Sequence, residues 1–430
     1  MKMKRPSSPI SFVGDRPDRR RGSLFERSAD AWAREAGGCA RPHVAVLRSR
    51  SFGQFEKATD ANLREWIDLV NFDLLDHPFQ ADLIADPFAH AMSLETSMLR
   101  ASGKIGFYVN LFFQATCGWG PLNPGLLSEL REFDIVHASE TFHSFSWQAL
   151  QAKRTSGCKF VTTVREKNPS ASKRFKTMRD MSSAVLKEAD LHITSTEFRR
   201  QQLLREGAKP AQVKVIPTGV DVRRFTPCGG DGGVRARLGI ADDEFVILGV
   251  ADPRRRQDAQ DLVHAVARLS NDPACSSQRI RLVLISPGPM RKALKRSAHR
   301  AGIQEALTVT NFEEEDRALV YRAADVFAWT GAVHSGWGES SPYVLPEILA
   351  AGLPVLATQS ALVSEVLDDA GILLPSSDRL ALSEGLKPLL LDASCREQMS
   401  AAGRQLAETR HDARLVARQL AAEYERLLKS

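Results

Sequence analysis

Residues 245–252 read "FVILGVAD", a short apolar run closed by an acid. It is too short for a membrane span, and a run of this length is typical of a strand buried on both faces of a parallel sheet. Similar runs recur downstream in "RLVLIS" (281–286), "ALTVTNF" (306–312), "DVFAWT" (325–330) and "PVLATQ" (354–359). Upstream an equivalent series runs through "HVAVLRS" (43–49), "DIVHASE" (134–140), "KFVTTVRE" (159–166) and "DLHITS" (190–195). Helical patterns fall near 145–155, 172–188 and 196–206, and the apolar spacing of "ANLREWIDLVNFDLL" (61–75) predicts a helix as well. "IGFYVNLFF" (105–113) reads as a buried strand, and 395–428 as one or two amphipathic helices. Strands alternating with helices imply a parallel sheet covered on both faces. The Pro- and Gly-rich stretch "VKVIPTGVDVRRFTPCGGDGGV" (213–234) divides the two series. The expected fold is therefore α/β, with two Rossmann-like, doubly wound parallel-sheet domains facing a cleft. Expected boundaries are an N-terminal arm (1–42), a first domain (43–212), a second domain (213–400) and a C-terminal helix (401–430) that could pack back on the first.

Bulk properties narrow the function. No apolar run reaches the ~18 residues of a spanning helix, and the first residues, "MKMKRPSSPISFVGDRPDRRRGS", lack the apolar core of a secretory signal. Cysteines 39, 117, 158, 228, 275 and 395 have no paired spacing, which predicts reduced thiols and a cytoplasmic chain. Neither CxxC nor HExxH occurs, so no metal and no bound cofactor is expected. The net charge of +6 suits a phosphate-bearing partner: a nucleotide, an anionic lipid surface or a nucleic acid. The tryptophans form no stacking ladder, which argues against single-stranded nucleic acid. The N-terminal arginines could touch anionic lipid on the inner face of a membrane. No G-x-G-x-x-G follows the first strand of either series, "GGDGG" (229–233) has no strand before it, and no Walker loop is present.

The chemistry concentrates in "HSGWGESSPYVLPEILAAGLPVLATQ" (334–359), where Glu339 and Glu347 stand eight positions apart. Gly336, Gly338, Ser340 and Ser341 leave backbone N–H groups bare, and a helix expected from about Pro342 would offer free donors and a dipole to a phosphate. Pro346 is tolerable in its first turn. A carboxylate at Glu347 can accept two hydrogen bonds from a vicinal diol, and Glu339 could hold hydroxyls beyond a diphosphate. The alternative is that both are ordinary acids favoured near a helix start.

This segment resembles the E-x7-E element of glycosyltransferase family 4, which has the GT-B fold. "IPTGVDVRRFTP" (216–227) is similar to that family's interdomain signature, and 285–330 to the segment between them, with its Tyr-x-x-Ala-Asp element. The likeness is continuous over about 213–375 and much weaker before it. It implies a retaining transfer of a sugar from a nucleotide-diphosphate donor to a hydroxyl of a glycan, polysaccharide or lipid-linked acceptor. It implies that Glu347 binds ribose, that Glu339 contacts the donor sugar, and that Ser340, Ser341 and Tyr343 meet sugar and phosphates. Asn311 and Phe312 would lie beside the base, and Gly53 would approach the diphosphate.

Two departures qualify the likeness. Asp252 and Gln257 stand where the family places its phosphate-binding Arg and Lys, with Arg254, Arg255 and Arg256 between them. These arginines could supply the cations, since guanidinium grips phosphate bidentately; otherwise they are a solvated charge run. Arg165 and Glu166 stand where many relatives carry a His. Glu166 could act on the acceptor hydroxyl or be a plain surface acid, and His143 is a similar case. "GWGPLNP" (118–124) reads as a connection or an acceptor mouth. A nucleotide-sugar epimerase, a glycoside phosphorylase and a non-catalytic nucleotide-sugar-binding subunit are the alternative activities. If the arginines carry the diphosphate, replacing Arg254, Arg255 and Arg256 together by alanine abolishes sugar transfer; unchanged turnover would assign them to solvent.

Overall fold

In a computed structural model, residues 41–49, 56–74, 126–165, 176–227, 230, 233–251, 256–286, 288–312, 314–330, 344–375 and 379–430 are described. The first sheet is built from β1 (His43–Ser49), β2 (Asp68–Leu74), β3 (Ile135–Ser139), β4 (Lys159–Val164), β5 (Leu191–Thr194) and β6 (Val213–Val215). Its helices are α1 (Lys57–Leu63), α2 (Ser144–Ser156), α3 (Lys176–Glu188) and α4 (Glu197–Glu206). The second sheet holds β7 (Glu244–Val250), β8 (Arg279–Ile285), β9 (Leu307–Thr310), β10 (Val326–Trp329), β11 (Val355–Thr358) and β12 (Gly371–Leu374). Between and after these strands come α5 (Arg256–Ser270), α6 (Gly288–Arg300), α7 (Arg317–Arg322), α8 (Leu345–Ala350), α9 (Ala361–Leu367), α10 (Arg379–Leu391), α11 (Ala393–Leu406) and α12 (Ala413–Leu428). The strand orders are β2-β1-β3-β4-β5-β6 and β12-β11-β10-β7-β8-β9, and every pairing is parallel. Two doubly wound parallel sheets are the expected architecture.

Two expectations are corrected. Residues 61–75 are not a single helix: α1 ends at Leu63, and β2 follows, pairing with β1 over seven residues from His43↔Asp68 to Ser49↔Leu74. The burial pattern shows why. Leu69 packs beneath one face of the sheet with Val44 and Ile135, while Val70 and Phe72 pack on the other with Leu47 and Phe133. That is a period of two, and β1 as a pairing partner overrides a spacing that also satisfies a helix. Strand β6 lies inside the stretch read as linker, so the passage between lobes begins after Val215. The stretches 105–113 and 118–124 lie outside the described residues.

The first lobe's core is completed by the end of the chain. Val416, Ala417, Leu420, Tyr424 and Leu427 of α12 pack with Val44, Leu63, Ile135 and Val161. The Tyr424 hydroxyl bonds His137 Nδ1 at 2.6 Å, and His137 Nε2 meets Thr163 Oγ1 at 2.6 Å. The linker threads tightly past this helix. A Cβ on Gly219 would collide with Thr59 Oγ1 and approach Ala413 Cα to 3.0 Å, so only glycine fits there.

Three buried imidazoles carry a linked pH dependence. Burial lowers His137 to about 3, aided by Arg48. Burial likewise lowers His192 and His411 to about 4. His192 is held between Thr162 Oγ1 at 2.6 Å and the Leu186 carbonyl at 2.9 Å. The folded state keeps all three neutral, whereas the unfolded chain protonates them near their ordinary value of 6.5. Between about pH 6.5 and 4 the unfolded state therefore binds more protons, and stability is lost as pH falls. Urea unfolding should show a decline below pH 6.5, with each imidazole adding up to ~1.4 kcal/mol per pH unit. His192→Gln should remove one such increment of slope; a curve flat from pH 7 to 5 would contradict the assignment.

Candidate active site

In open α/β sheets ligands bind beyond the carboxyl ends of the strands, where the strand order reverses. In the second sheet that point lies between β7 and β10. Helix α5, which follows β7, packs into the core on one face of the sheet, and α8, which follows β10, into the core on the other. The helix starts carrying Arg256 and Glu347 therefore flank the switch point from opposite faces.

Helix α8 has Pro346 in its first turn and buries Leu345, Ile348 and Leu349 against the sheet. Gly352 (φ 67°) closes it, and a Cβ there would come within 3.0 Å of Pro227 and Ser400. This fixes Glu347 in the first turn. The residue is 6% exposed, so it is not the solvated acid that helix-start preference alone would produce. Tyr321 donates its hydroxyl to Glu347 Oε2 at 2.9 Å, and Arg317 Nη2 lies 3.2 Å from Oε1. Arg317 and Tyr321 are four apart, so α7 presents both on one face. Burial, and next the Glu347 carboxylate, push the Tyr321 phenol well above its ordinary range, which keeps it a donor. Phe225 of the linker lies 5.7 Å from the Tyr321 ring, and the Arg224 guanidinium lies over the Phe225 ring at 5.2 Å.

Asn311 is exposed directly after β9, and Phe312 is partly buried against the α8 side of the core. Arg256 is exposed as the first residue of α5. Gln257 turns along the helix and donates to Asp261 Oδ1 at 2.8 Å. Gly53, Glu166, Asp252, Arg254, Arg255, Glu339, Ser340, Ser341 and Tyr343 lie outside the described residues. His143 stacks on Phe145 at 4.7 Å and sits at the N-cap of α2.

The first lobe's carboxyl edge gathers charges that spacing did not single out. Arg48 bonds Asp60 Oδ1 at 2.8 Å and pairs with Glu56 at 2.5 Å; Glu56 also pairs with Arg165. Burial opposes ionisation of Glu56, but Arg165 and then Arg48 hold its carboxyl below its ordinary range. Burial raises Asp60. Just after β3, Glu140 adopts φ 60° while 2% exposed, and its Oε1 accepts from the Arg165 backbone N–H at 2.9 Å. A buried acid in the left-handed region is strained backbone of the kind that clusters at functional sites. Its position at a strand's carboxyl end was the available signal.

Comparison with known proteins gives the family. Residues 234–406 match glycosyl transferases group 1 and residues 92–224 match Glycosyltransferase Family 4, together well over half of the chain. The chain belongs to glycosyltransferase family 4. Among curated relatives of this family-4 chain is D-inositol 3-phosphate glycosyltransferase of Salinispora arenicola, 31% identical over 241 residues that cover 52% of each protein. Its counterpart in Kineococcus radiotolerans is 31% identical over 247 residues, covering 52% of the chain and 54% of the relative. The chain thus spans about half the length of the curated relatives it matches. Similar solved structures include Anabaena HepE in complex with UDP and glucose (TM-score 0.65, 16% identity, 90% of the chain and 100% of that protein). Sucrose-phosphate synthase from Thermosynechococcus elongatus is another (TM-score 0.63, 19% identity, 90% and 100%). At such identities the likeness concerns the fold, which is GT-B.

Removing the cation beside a buried carboxylate is costlier than removing a neutral donor. Arg317→Ala should therefore destabilise the family-4 chain by ~3 kcal/mol, and Tyr321→Phe by about 1.5–3 kcal/mol, in urea unfolding. If neither variant changes the midpoint, Glu347 is solvated and the buried site does not exist.

Proposed function

We propose that the chain transfers a sugar from a nucleotide-diphosphate donor to an acceptor hydroxyl, with retention at the anomeric carbon and without a metal. The observation that carries this reading is Glu347: a buried carboxylate at the switch point, held by Tyr321 and Arg317 in one orientation. A fixed acceptor of this kind suits the ribose diol, because both its oxygens are positioned before the ligand arrives. In this reading Asn311 and Phe312 border the base at the end of β9. Ser340, Ser341 and Tyr343 meet the phosphates and sugar, Glu339 grips the donor sugar, and Gly53 approaches from the first lobe. Arg254, Arg255 and Arg256 neutralise the departing diphosphate, the electrostatic role that dominates such transfers. Closure of the lobes excludes water, and the leaving phosphate oxygen takes the acceptor's proton as the new glycosidic bond forms. In the same reading Glu166 approaches the acceptor hydroxyl. The acceptor is a carbohydrate or lipid-linked hydroxyl, and the enzyme works in the cytoplasm, where nucleotide-sugars and reduced thiols occur together.

A thermal-shift screen of the whole chain against UDP, GDP, ADP and their sugars tests the donor site, since a ligand of the folded state raises the melting temperature. One nucleotide class should raise it, and Glu347→Gln should weaken that nucleotide's binding about 10- to 100-fold, or ~1.4–2.8 kcal/mol. No shift with any nucleotide, or an undiminished shift in the variant, would refute the site. Nucleotide released without acceptor would instead favour an epimerase, and donor binding without transfer a binding subunit.

A further inference from the structure

Residues 273–304 contain no Asp or Glu, yet they hold Arg279, Arg281, Arg291, Lys292, Lys295, Arg296, His299 and Arg300. The structure divides these cations into two groups. The two on β8 are matched by acids from the β7 side: Arg279 pairs with Asp243 at 2.8 Å and Arg281 with Glu244 at 2.7 Å. Those on α6 are not. Every exposed position from 291 through 300 is Arg, Lys or His. Arg291 donates to the Val309 carbonyl at 2.8 Å. Lys292, Lys295, Arg296, His299 and Arg300 have no acidic partner among the described residues. Elsewhere the chain pairs its cations readily, as Arg154 with Glu188 at 2.5 Å and Arg235 with Asp325 at 3.0 Å show.

The helix's other face is already used. Met290, Leu294 and Ala298 are buried in the second lobe's core, so α6 cannot roll over to insert an apolar side into anything. What remains outward is a straight row of long cationic side chains on a helix of 13 residues, about 20 Å in length. Arg300 also reaches α5, where burial, then Arg379 and Arg300, lower His264 against an opposing contribution from Asp261. No aromatic stands on this face to stack a base, and a single convex helix forms no groove around a strand. A broad, fluid, anionic sheet is the partner that such a row complements at every position at once.

We propose that the outer face of α6 docks on a lipid bilayer rich in anionic headgroups, holding the second lobe at the membrane surface by charge alone. The contact is peripheral and salt-sensitive, because exposed charges are screened within about 10 Å at 0.1 M salt. It is independent of the donor-site reading, since its readout is binding to lipid.

The test is co-sedimentation of the full chain with phosphatidylcholine vesicles, with and without phosphatidylglycerol, at low and high salt. The wild type should bind only the anionic vesicles and release at high salt. Combined Lys292→Gln, Lys295→Gln and Arg296→Gln should lower the partition coefficient on the order of a hundredfold. The control removes equal charge from the first lobe and α12 (Arg205→Gln, Lys209→Gln, Arg418→Gln) and should bind nearly as the wild type does. All three proteins keep Arg19, Arg20 and Arg21, so any contribution of that segment is common to them. The proposal is overturned if the α6 variant binds like the wild type, or if the wild type shows no preference for anionic vesicles. Tighter binding to a nucleic-acid duplex than to the vesicles at equal salt overturns it too.

Discussion

The two-lobed structure depends on one junction, where the chain passes between lobes twice and the two passages bond to each other. The Val220 N–H donates to the His411 carbonyl at 2.7 Å, and the Ala413 N–H returns to the Val220 carbonyl at 2.9 Å. His411 Nδ1 meets the Thr218 carbonyl at 3.0 Å. With Gly219 wedged against Thr59 and Ala413, this junction fixes where α12 begins and hence that it lands on the first sheet. A second tie lies nearby. Glu365 of α9 accepts from the backbone N–H groups of Glu197 and Phe198, the latter at 3.0 Å, so one lobe satisfies the free donors at a helix start in the other.

Much of this fold was legible because buried parallel strands announce themselves as short apolar runs. β1 matches its expected span residue for residue, and the strands around 135, 160, 191, 245, 281, 326 and 355 differ from expectation only at their ends. β2 failed because Leu63, Trp66, Ile67 and Val70 satisfy helical spacing, and only pairing with β1 decides between the readings. β6 failed because three residues are too few to show a period. At the site, Glu347 was legible from its motif. Its partners were not: Arg317 and Tyr321 lie some thirty and twenty-six positions away in sequence, and their convergence is a product of how α7 packs beside α8. The Arg48–Glu56–Asp60–Arg165 network was hidden for the same reason, since it joins a strand end, a helix start and a second strand end.

The surroundings of the switch point bear on which cations can serve a diphosphate there. Gln257 is turned along α5 toward Asp261 and carries no charge. Arg317 is committed to Glu347, and Arg48 and Arg165 to carboxylates of the first lobe. Arg256 is exposed at the start of α5, with Arg254 and Arg255 just before it in sequence. On the proposed reading the cationic role falls to the arginine run, and a helix start supplies further positive potential beside it.

The Arg317–Glu347 pair presents an energetic puzzle that its location resolves. Taking two charges out of water costs several kcal/mol each, and well-packed apolar residues often replace such pairs without loss of stability. Stability alone is thus a poor reason for this chain to bury an ion pair in an otherwise apolar core of Leu345, Ile348 and Phe327. What the pair does achieve is orientation. Arg317 takes one carboxylate oxygen and Tyr321 the other, which removes rotation about the last bond of Glu347. On the proposed reading, a donor meeting that carboxylate finds it already oriented, which lowers the ordering cost of binding. The same logic covers Glu140, whose strained backbone and bond to the Arg165 N–H fix a second acid at the carboxyl edge of the opposite sheet.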